Sequence, residues 1–455
     1  MYPLPTQKLS FTKLDSNSWF DINVVKTSNK KYVNNLPSNT IKKTELIRTK
    51  KIKIFFNEKQ QKIINKWFDI YRYIYNETLF YVKKTKDHNF NRLRKIIKQN
   101  YNQKMKDDIK NSKIPSHTID YAIKDVVTAF SSNFTKLKNK DITKFRMRYK
   151  KLKNPNQKIT LEDSCFSMSK YKKSDFYINN LFEGYNFNDL NNTFCPSVFG
   201  NYIKTSEPIT CIDKTCVLSF NKNKNEYILN VPYTAVQNIK EKNDHRDICA
   251  IDPGVRTFLT IYSPTEIISI GNNAQNLINK GLDKIDLLRS KIDLKRNEIK
   301  QNKNKKLIKD LIKLKKRYCI QYDKLKNQIK DLHYKSISFI KNRYKVVLLG
   351  NMSTKSTTSK DGDLHEIVKR QLFTLKHYSF HLLLKYKSEI ENIFYKQVDE
   401  SYTSKTCGNC NNIKKGKNKS KEYNCTKCGI TVDRDINGAY NIFKKHVNLL
   451  SKFLI

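Results

Sequence analysis

Four of the ten cysteines fall in one short stretch, spaced Cys407-x2-Cys410-x14-Cys425-x2-Cys428. Each pair puts two thiolates on successive turn positions, and the intervening loop lets the pairs close tetrahedrally on one ion. A disulfide framework would be spread through a small secreted chain, so this cluster reads as one structural Zn²⁺ in a reducing compartment. All four ligands come from protein, leaving no open coordination position. Zinc here shapes a nucleic-acid contact and takes no part in a reaction. Three acids sit where other chemistry could gather. Asp252 closes the apolar run ICAI and precedes Pro253-Gly254, Glu400 ends IFYKQVDE, and Asp435, the third residue of DRDINGAYNIF, begins the last helix. Phosphodiester hydrolysis is served by two Mg²⁺ about 4 Å apart, held by carboxylates converging from separate elements. An acid at a strand end is more often a solvated surface group, so position alone makes these only candidates. The eight histidines show no zinc spacing; His377 and His381, one turn apart, read as core packing or RNA contact. No GxxxxGK[ST] loop is present, so no ATP use is expected.

The elements that must position these residues can be read in part. Residues 1–45 are polar, without a sustained period, and read as an irregular extension. KKIKIFF (50–56) alternates as a strand. Asn57 and Gln60 have the form of a capping box, and the spacing of Ile64, Trp67, Phe68, Tyr71, Ile74, Tyr75 and Leu79 predicts a helix over 58–83. A second helix starts after Pro115. From 142 to about 235 the pattern shortens into strands (ITKFRMRY, QKITL, CVLSF, EYILNVPY), a small β-domain that the strand at 50–56 can join. The polar connector 241–246 leads to a three-strand meander over 247–271, then two long helices over 275–343, then YKVVLLG, apolar on both faces as in a buried strand. One helix is expected over 365–387, a strand over 393–400, and a terminal helix from Asp435.

Composition sets the class. Lys and Arg number 89 against 42 Asp and Glu, a formal charge of +47, and the 24 Phe and 26 Tyr exclude a disordered basic tail. No apolar run reaches the roughly 18 residues of a membrane span, and the first residues lack a signal-peptide layout. A soluble intracellular protein with a polyanionic partner is expected. The Tyr/Trp stripe at 67–75 is mostly core; Tyr75 and Asn76 could read duplex DNA if exposed. Lys144, Arg146 and Arg148 share one face of an expected strand and suit a phosphate track, although a solvated face explains them nearly as well.

AIDPGVRTFLTIYS resembles the first RuvC motif of TnpB nucleases, Fanzor proteins and type V CRISPR effectors. SYTSKTCGNC…CTKCG resembles their zinc ribbon, and DRDINGAYNI their third RuvC motif, in the same chain order. The N-terminal half, with YIYNETL and KFRMRYKK, is similar to theirs, so the likeness covers about 46–445. One departure stands out. Where these families commonly carry the second acid, in a strand reading like IVIED, this chain has Gly350 and Asn351. Glu400, three residues before Thr403-Ser404-Lys405, resembles the relocated glutamate of Fanzor-like members.

The resemblance implies an α/β and α+β multidomain chain. A RuvC-like (RNase H-like) nuclease over 241–401 and 431–455 carries a helical insertion at 275–343 and a zinc ribbon at 402–430. A small β-barrel-like, wedge-like domain over 46–56 and 138–240 precedes it, with a helical recognition insertion at 57–137. It also implies an RNA-guided DNA endonuclease with a guide RNA and target double-stranded DNA as partners. In that family Asp252, Glu400 and Asp435 would hold the two catalytic Mg²⁺, Asp433 would be structural, and Arg434 would touch phosphate. Asn437 reads as a backbone clamp. A catalytically inactive RNA/DNA-binding regulator and a DNA-joining transposase are the rival functions. The basic runs suit nuclear import if the host is eukaryotic or a virus of one; RNA contacts explain them equally well.

Overall fold

The computed structural model describes residues 12–17, 20–26, 46–166, 193–200, 202–209, 212, 214–235, 247–272, 274–302, 304–352, 364–391, 393–414 and 420–447. The chain divides into two compact units, residues 45–236 and residues 1–44 with 237–455. The connector 241–246, most of the basic run after Cys410 and the tail beyond 447 lie outside the described residues.

Two strands, β1 (Thr12–Asn17) and β2 (Phe20–Lys26), pair antiparallel, and β2 pairs in turn with the strand at Glu266–Ile270. This corrects the reading of 1–45 as an irregular extension. Ile22 and Val24 are buried on alternate positions of β2, but that alternation is too short and too mixed with polar residues to register as a period. Residues 27–45 lie outside the described set.

The unit of residues 45–236 starts with β3 (Leu46–Phe55) and four helices: α1 (Glu58–Thr85), α2 (Phe90–Gln99), α3 (Gln103–Ser112) and α4 (Ser116–Lys138). Strands β4 (Asn156–Leu161), β5 (Lys204–Thr205), β6 (Cys216–Asn221) and β7 (Glu226–Ala235) follow. They form an antiparallel sheet in the order β4-β6-β7-β3-β5, so the strand at 50–56 joins the β-domain across the helical insertion. Among the described residues the outer strands β4 and β5 do not pair. The capping box forms as its residue types require: Gln60 N–H donates to Asn57 Oδ1 at 2.9 Å, and Asn57 N–H donates to Gln60 Oε1 at 3.0 Å. Trp67, Phe68, Tyr71 and Ile74 then face the core, with Trp67 Nε1 donating to the Ser112 carbonyl at 2.8 Å. The strand expected at ITKFRMRY does not form; no ladder includes 142–149. Phe145 and Met147 still pack on the core while Lys144, Arg146 and Arg148 stay exposed. A period of two records alternating burial, and it needs no neighbouring strand.

In the other unit β8 (Asp247–Pro253), β9 (Leu259–Tyr262) and β10 (Glu266–Ile270) form the expected meander. Helices α5 (Ala274–Gln301) and α6 (Lys305–Arg343) lead to β11 (Tyr344–Gly350). Two helices, α7 (Glu366–Leu375) and α8 (His377–Ile390), replace the single one expected over 365–387. Lys376 breaks it with φ 53°, a left-handed turn that no glycine advertised. Then come β12 (Phe394–Val398), the hairpin β13 (Glu422–Asn424) and β14 (Thr431–Asp433), and α9 (Arg434–His446). The sheet order is β1-β2-β10-β9-β8-β11-β12, with β11 parallel to both β8 and β12.

Alternation along these strands builds two cores, because successive side chains leave opposite faces. Cys249, Ile251, Val347 and Leu349 pack with α5, α6 and α8. Ile248, Ala250, Val346, Leu348 and Val398 pack with Tyr440, Ile442 and Phe443 of α9. That is why the stretch 346–349 (VVLL) carries no polar position.

Candidate active site and zinc ribbon

The same parity fixes the acids. Asp252 continues the series Ile248, Ala250 onto the α9 face of β8, and Gly350 continues Val346, Leu348 onto the α9 face of β11. Gly350 pairs with Val398, two residues before Glu400. The carboxyl ends of three adjacent parallel strands therefore open at one edge, beneath the start of α9, where Asp435 stands.

Two glycines make this approach close. A β-carbon on Gly350 would lie 2.6 Å from Glu400 Oε2 and 3.1 Å from Ile442 Cδ1. A β-carbon on Gly438 would lie 2.3 Å from Asp252 Oδ2. A carboxylate oxygen of Glu400 thus occupies the space into which a side chain at position 350 of β11 would project. Asn351 helps hold it there: its Oδ1 accepts from the Glu400 N–H at 3.3 Å, and its own N–H donates to the Val398 carbonyl at 2.9 Å. Thr403 donates through its hydroxyl to the Glu400 carbonyl at 2.8 Å. Glu400 Oε2 itself is buried with no hydrogen-bond partner. Burial first, then the neighbouring Asp399, raises its carboxyl to about 7. Burial raises Asp252 well above the carboxylate range, followed by the charges of Glu400 and Asp435, with Arg434 opposing. Carboxyls so crowded and desolvated are short of cations, and the donor set suits divalent ions with hard oxygen ligands. The three acids do not all lie within 4.8 Å of one another.

The flanking residues hold the frame. Asp433 caps α9 by accepting from the Asp435 and Ile436 N–H groups at 2.9 and 3.3 Å. Arg434 pairs with Asp435 at 3.2 Å. Asp399 turns away to Lys445 at 2.6 Å. Sequence reasoning missed Asn351 and Gly438 as positioning residues. The short spacing of Gly438 after Asp435, on the face that must meet β8, was the signal that could have exposed it.

The four cysteines come together, their sulfurs all within 4.8 Å. Cys407–Cys428 and Cys410–Cys425 are each 3.6 Å apart. Tetrahedral thiolates at a Zn–S distance of 2.3 Å would sit about 3.8 Å from one another, so the set fits zinc. Turn freedom comes from Gly429 (φ 71°) in one knuckle and from Asn411 (φ 60°) in the other. Gly408 serves close approach instead, since a β-carbon there would meet the Tyr440 ring at 2.7 Å. Asn437 clamps the ribbon through Thr406 O at 2.8 Å and Gly408 N–H at 2.9 Å; Asn441, one turn on, donates to Thr403 O and Thr406 O.

The remaining candidates lie elsewhere. Tyr75 is buried with Lys150 Nζ 3.7 Å from its ring centroid, and Asn76 exchanges two hydrogen bonds with the Lys150 backbone. Tyr75 thus lacks the exposure that a duplex contact requires, while Asn76 is half-buried. His377 is buried, stacked on Phe258, and His381 bonds the Tyr395 hydroxyl.

The Cas12f1-like, TNB domain model matches residues 377–442, and a helix-turn-helix domain model matches residues 46–86. A TnpB-like protein of Acanthamoeba polyphaga mimivirus is 32% identical over 97% of this chain and 85% of its own length. The chain belongs to the TnpB-like family. A second TnpB-like protein of the same virus is 31% identical over 97% of this chain and 84% of its own. The solved mini-RNA-guided endonuclease CRISPR-Cas_phi3 aligns with 88% of this TnpB-like chain and 92% of its own, at 10% identity and a TM-score of 0.46. Among the described residues no helix is long and apolar enough to cross a membrane.

Proposed function

We propose that this TnpB-like protein is an RNA-guided, Mg²⁺-dependent DNA endonuclease with a RuvC-like centre made of Asp252, Glu400 and Asp435. The reading is carried by Glu400, whose buried and unpartnered Oε2 fills the space beside Gly350 where a strand-end acid is missing. The sheet order, with β8 to β10 antiparallel and β11 and β12 added in parallel, supports an RNase H-like core. Bound divalent cations would supply the Lewis acidity that phosphodiester hydrolysis requires. The chain's own groups do the rest: Asp252 presents a desolvated carboxylate from the end of β8, Glu400 presents one from two residues past β12, Asp435 adds a third from the first turn of α9, and Arg434, paired with Asp435, lies beside them as the candidate phosphate contact. Cys407, Cys410, Cys425 and Cys428 would hold one structural zinc that closes the ribbon between Glu400 and Asp435. Exposed Lys144, Arg146 and Arg148 form the proposed phosphate track, and the net charge of +47 suits neutralising both a guide RNA and a target duplex.

The test is to sequence RNA that co-purifies with the protein, reprogram it, and measure cleavage of a matched plasmid with Mg²⁺. Cutting that vanishes in Asp252→Ala and Glu400→Ala is expected. Retained RNA binding without any cleavage would support an inactive regulator, and joined products would support a transposase.

A further inference from the structure

The unit of residues 45–236 holds a cavity of about 520 Å³ between α1, the segment after α4, and the ends of β4 and β6. That is within the range of about 300–1,000 Å³ typical of small-ligand pockets. Phe68, Tyr71 and Phe220 supply aromatic walls, and five cationic side chains line it against one carboxylate. That carboxylate, Glu226, is already paired with Lys53 at 2.9 Å.

The wall also contains donors that the chain leaves unmatched. Arg72 Nε, Lys150 Nζ and Gln157 Nε2 are buried without a hydrogen-bond partner. Lys150 is held by the Asn76 clamp on its backbone. Its ammonium sits 3.7 Å from Asp125, beyond hydrogen-bonding reach, and Asp125 is shared with Lys158 at 3.6 Å. Burial, the largest influence, lowers the Lys150 ammonium to about 8. Buried donors with no acceptor are uncommon in native cores, and several around one cavity point to a ligand that brings oxygens. Aromatic walls add a preference for a planar ring, since stacking on aromatic side chains tolerates any base.

We propose that this cavity takes one unstacked nucleotide of a bound nucleic-acid strand, its base against Phe68, Tyr71 and Phe220 and its phosphate on Arg72, Lys150 and Lys158. The inference rests on the nucleic-acid reading above, yet its test needs neither cleavage nor Mg²⁺, so the two can fail separately. Full-length protein would be probed by saturation-transfer NMR with uridine 5′-monophosphate, uridine and inorganic phosphate. A single-stranded RNA carrying 4-thiouridine would be photo-crosslinked in parallel. The monophosphate should bind at least tenfold tighter than uridine or phosphate alone, and Lys158→Ser should weaken it at least fivefold. Gln157→Leu should do the same, with unchanged melting temperature checked for both variants. The crosslink should map to peptides containing Tyr71 or Phe220 and be competed by the monophosphate. Equal binding of phosphate alone, insensitivity to both substitutions, or crosslinks mapping only elsewhere would overturn the proposal.

Discussion

Gly350 has a simple steric role with a large expected effect. Because an added methyl would meet Glu400 Oε2 at 2.6 Å, Gly350→Ala must displace that carboxylate or shift the end of β11. We expect Gly350→Ala to lower cleavage at least tenfold while circular dichroism stays near wild type. Gly350→Asp should not rescue Glu400→Ala, because Ile442 crowds the same space at 3.1 Å. Rescue in a plasmid-cleavage assay would mean that the strand position still works as a ligand site. Asp252 and Asp435 were readable as candidates from their strand-end and helix-start positions. Glu400 was a candidate from its expected strand end as well, but linking it to Gly350 needed the resemblance to relocated glutamates, since nothing in its own neighbourhood points 50 residues back.

At the level of elements, α9 does two tasks with one face and its edge. Ile436, Ala439, Tyr440 and Phe443 close the sheet, while Asn437 and Asn441 hold the ribbon by its backbone. Each asparagine satisfies buried backbone groups, so Asn437→Ala or Asn441→Ala should cost about 1–3 kcal/mol. Faster zinc release to a chromophoric chelator should accompany that loss; unchanged release would separate the clamp from the metal. The opposite face of the sheet carries a pH liability. His333, bonded to the Leu375 carbonyl at 2.8 Å, is lowered to about 4 mainly by burial, and His377 to about 3 for the same first reason. Folded, both stay neutral where the unfolded chain gains protons. Their stabilisation is therefore complete above about pH 6.5 and is lost as pH falls toward 4 and 3. By pH 5 the loss should be about 2 kcal/mol per histidine. Denaturant titrations at pH 7 and pH 5 measure it, and His333→Gln should reduce the difference by about half. Helices α1, α4, α5, α6 and α9 and the meander were legible because their periods are long and their turns carry Pro, Gly or a capping box, whereas the short helices α2 and α3 were not anticipated. The break at Lys376 and the strands β1 and β2 were not, since their causes lie in packing against distant residues.

For the molecule as a whole, the charge of +47 and the four-cysteine ribbon make separate demands on conditions. Retained RNA should fall steeply between 50 and 200 mM salt, by about 10³-fold or more if six or more phosphates are neutralised; flat retention would discount the polyanion reading. Chelation should unfold the ribbon without melting residues 45–236, seen as two transitions in calorimetry. Those residues are also built to be moved. Their first and last strands lie side by side, with Leu46 registered against Ala235. The chain therefore enters and leaves this unit at one end of the β3–β7 pair. Excising 46–235 and joining the flanks with a short glycine-serine bridge should leave a self-sufficient cutting half. The excised piece, exchanged between relatives, should transplant nucleic-acid binding and not cutting, read by gel shift beside plasmid cleavage.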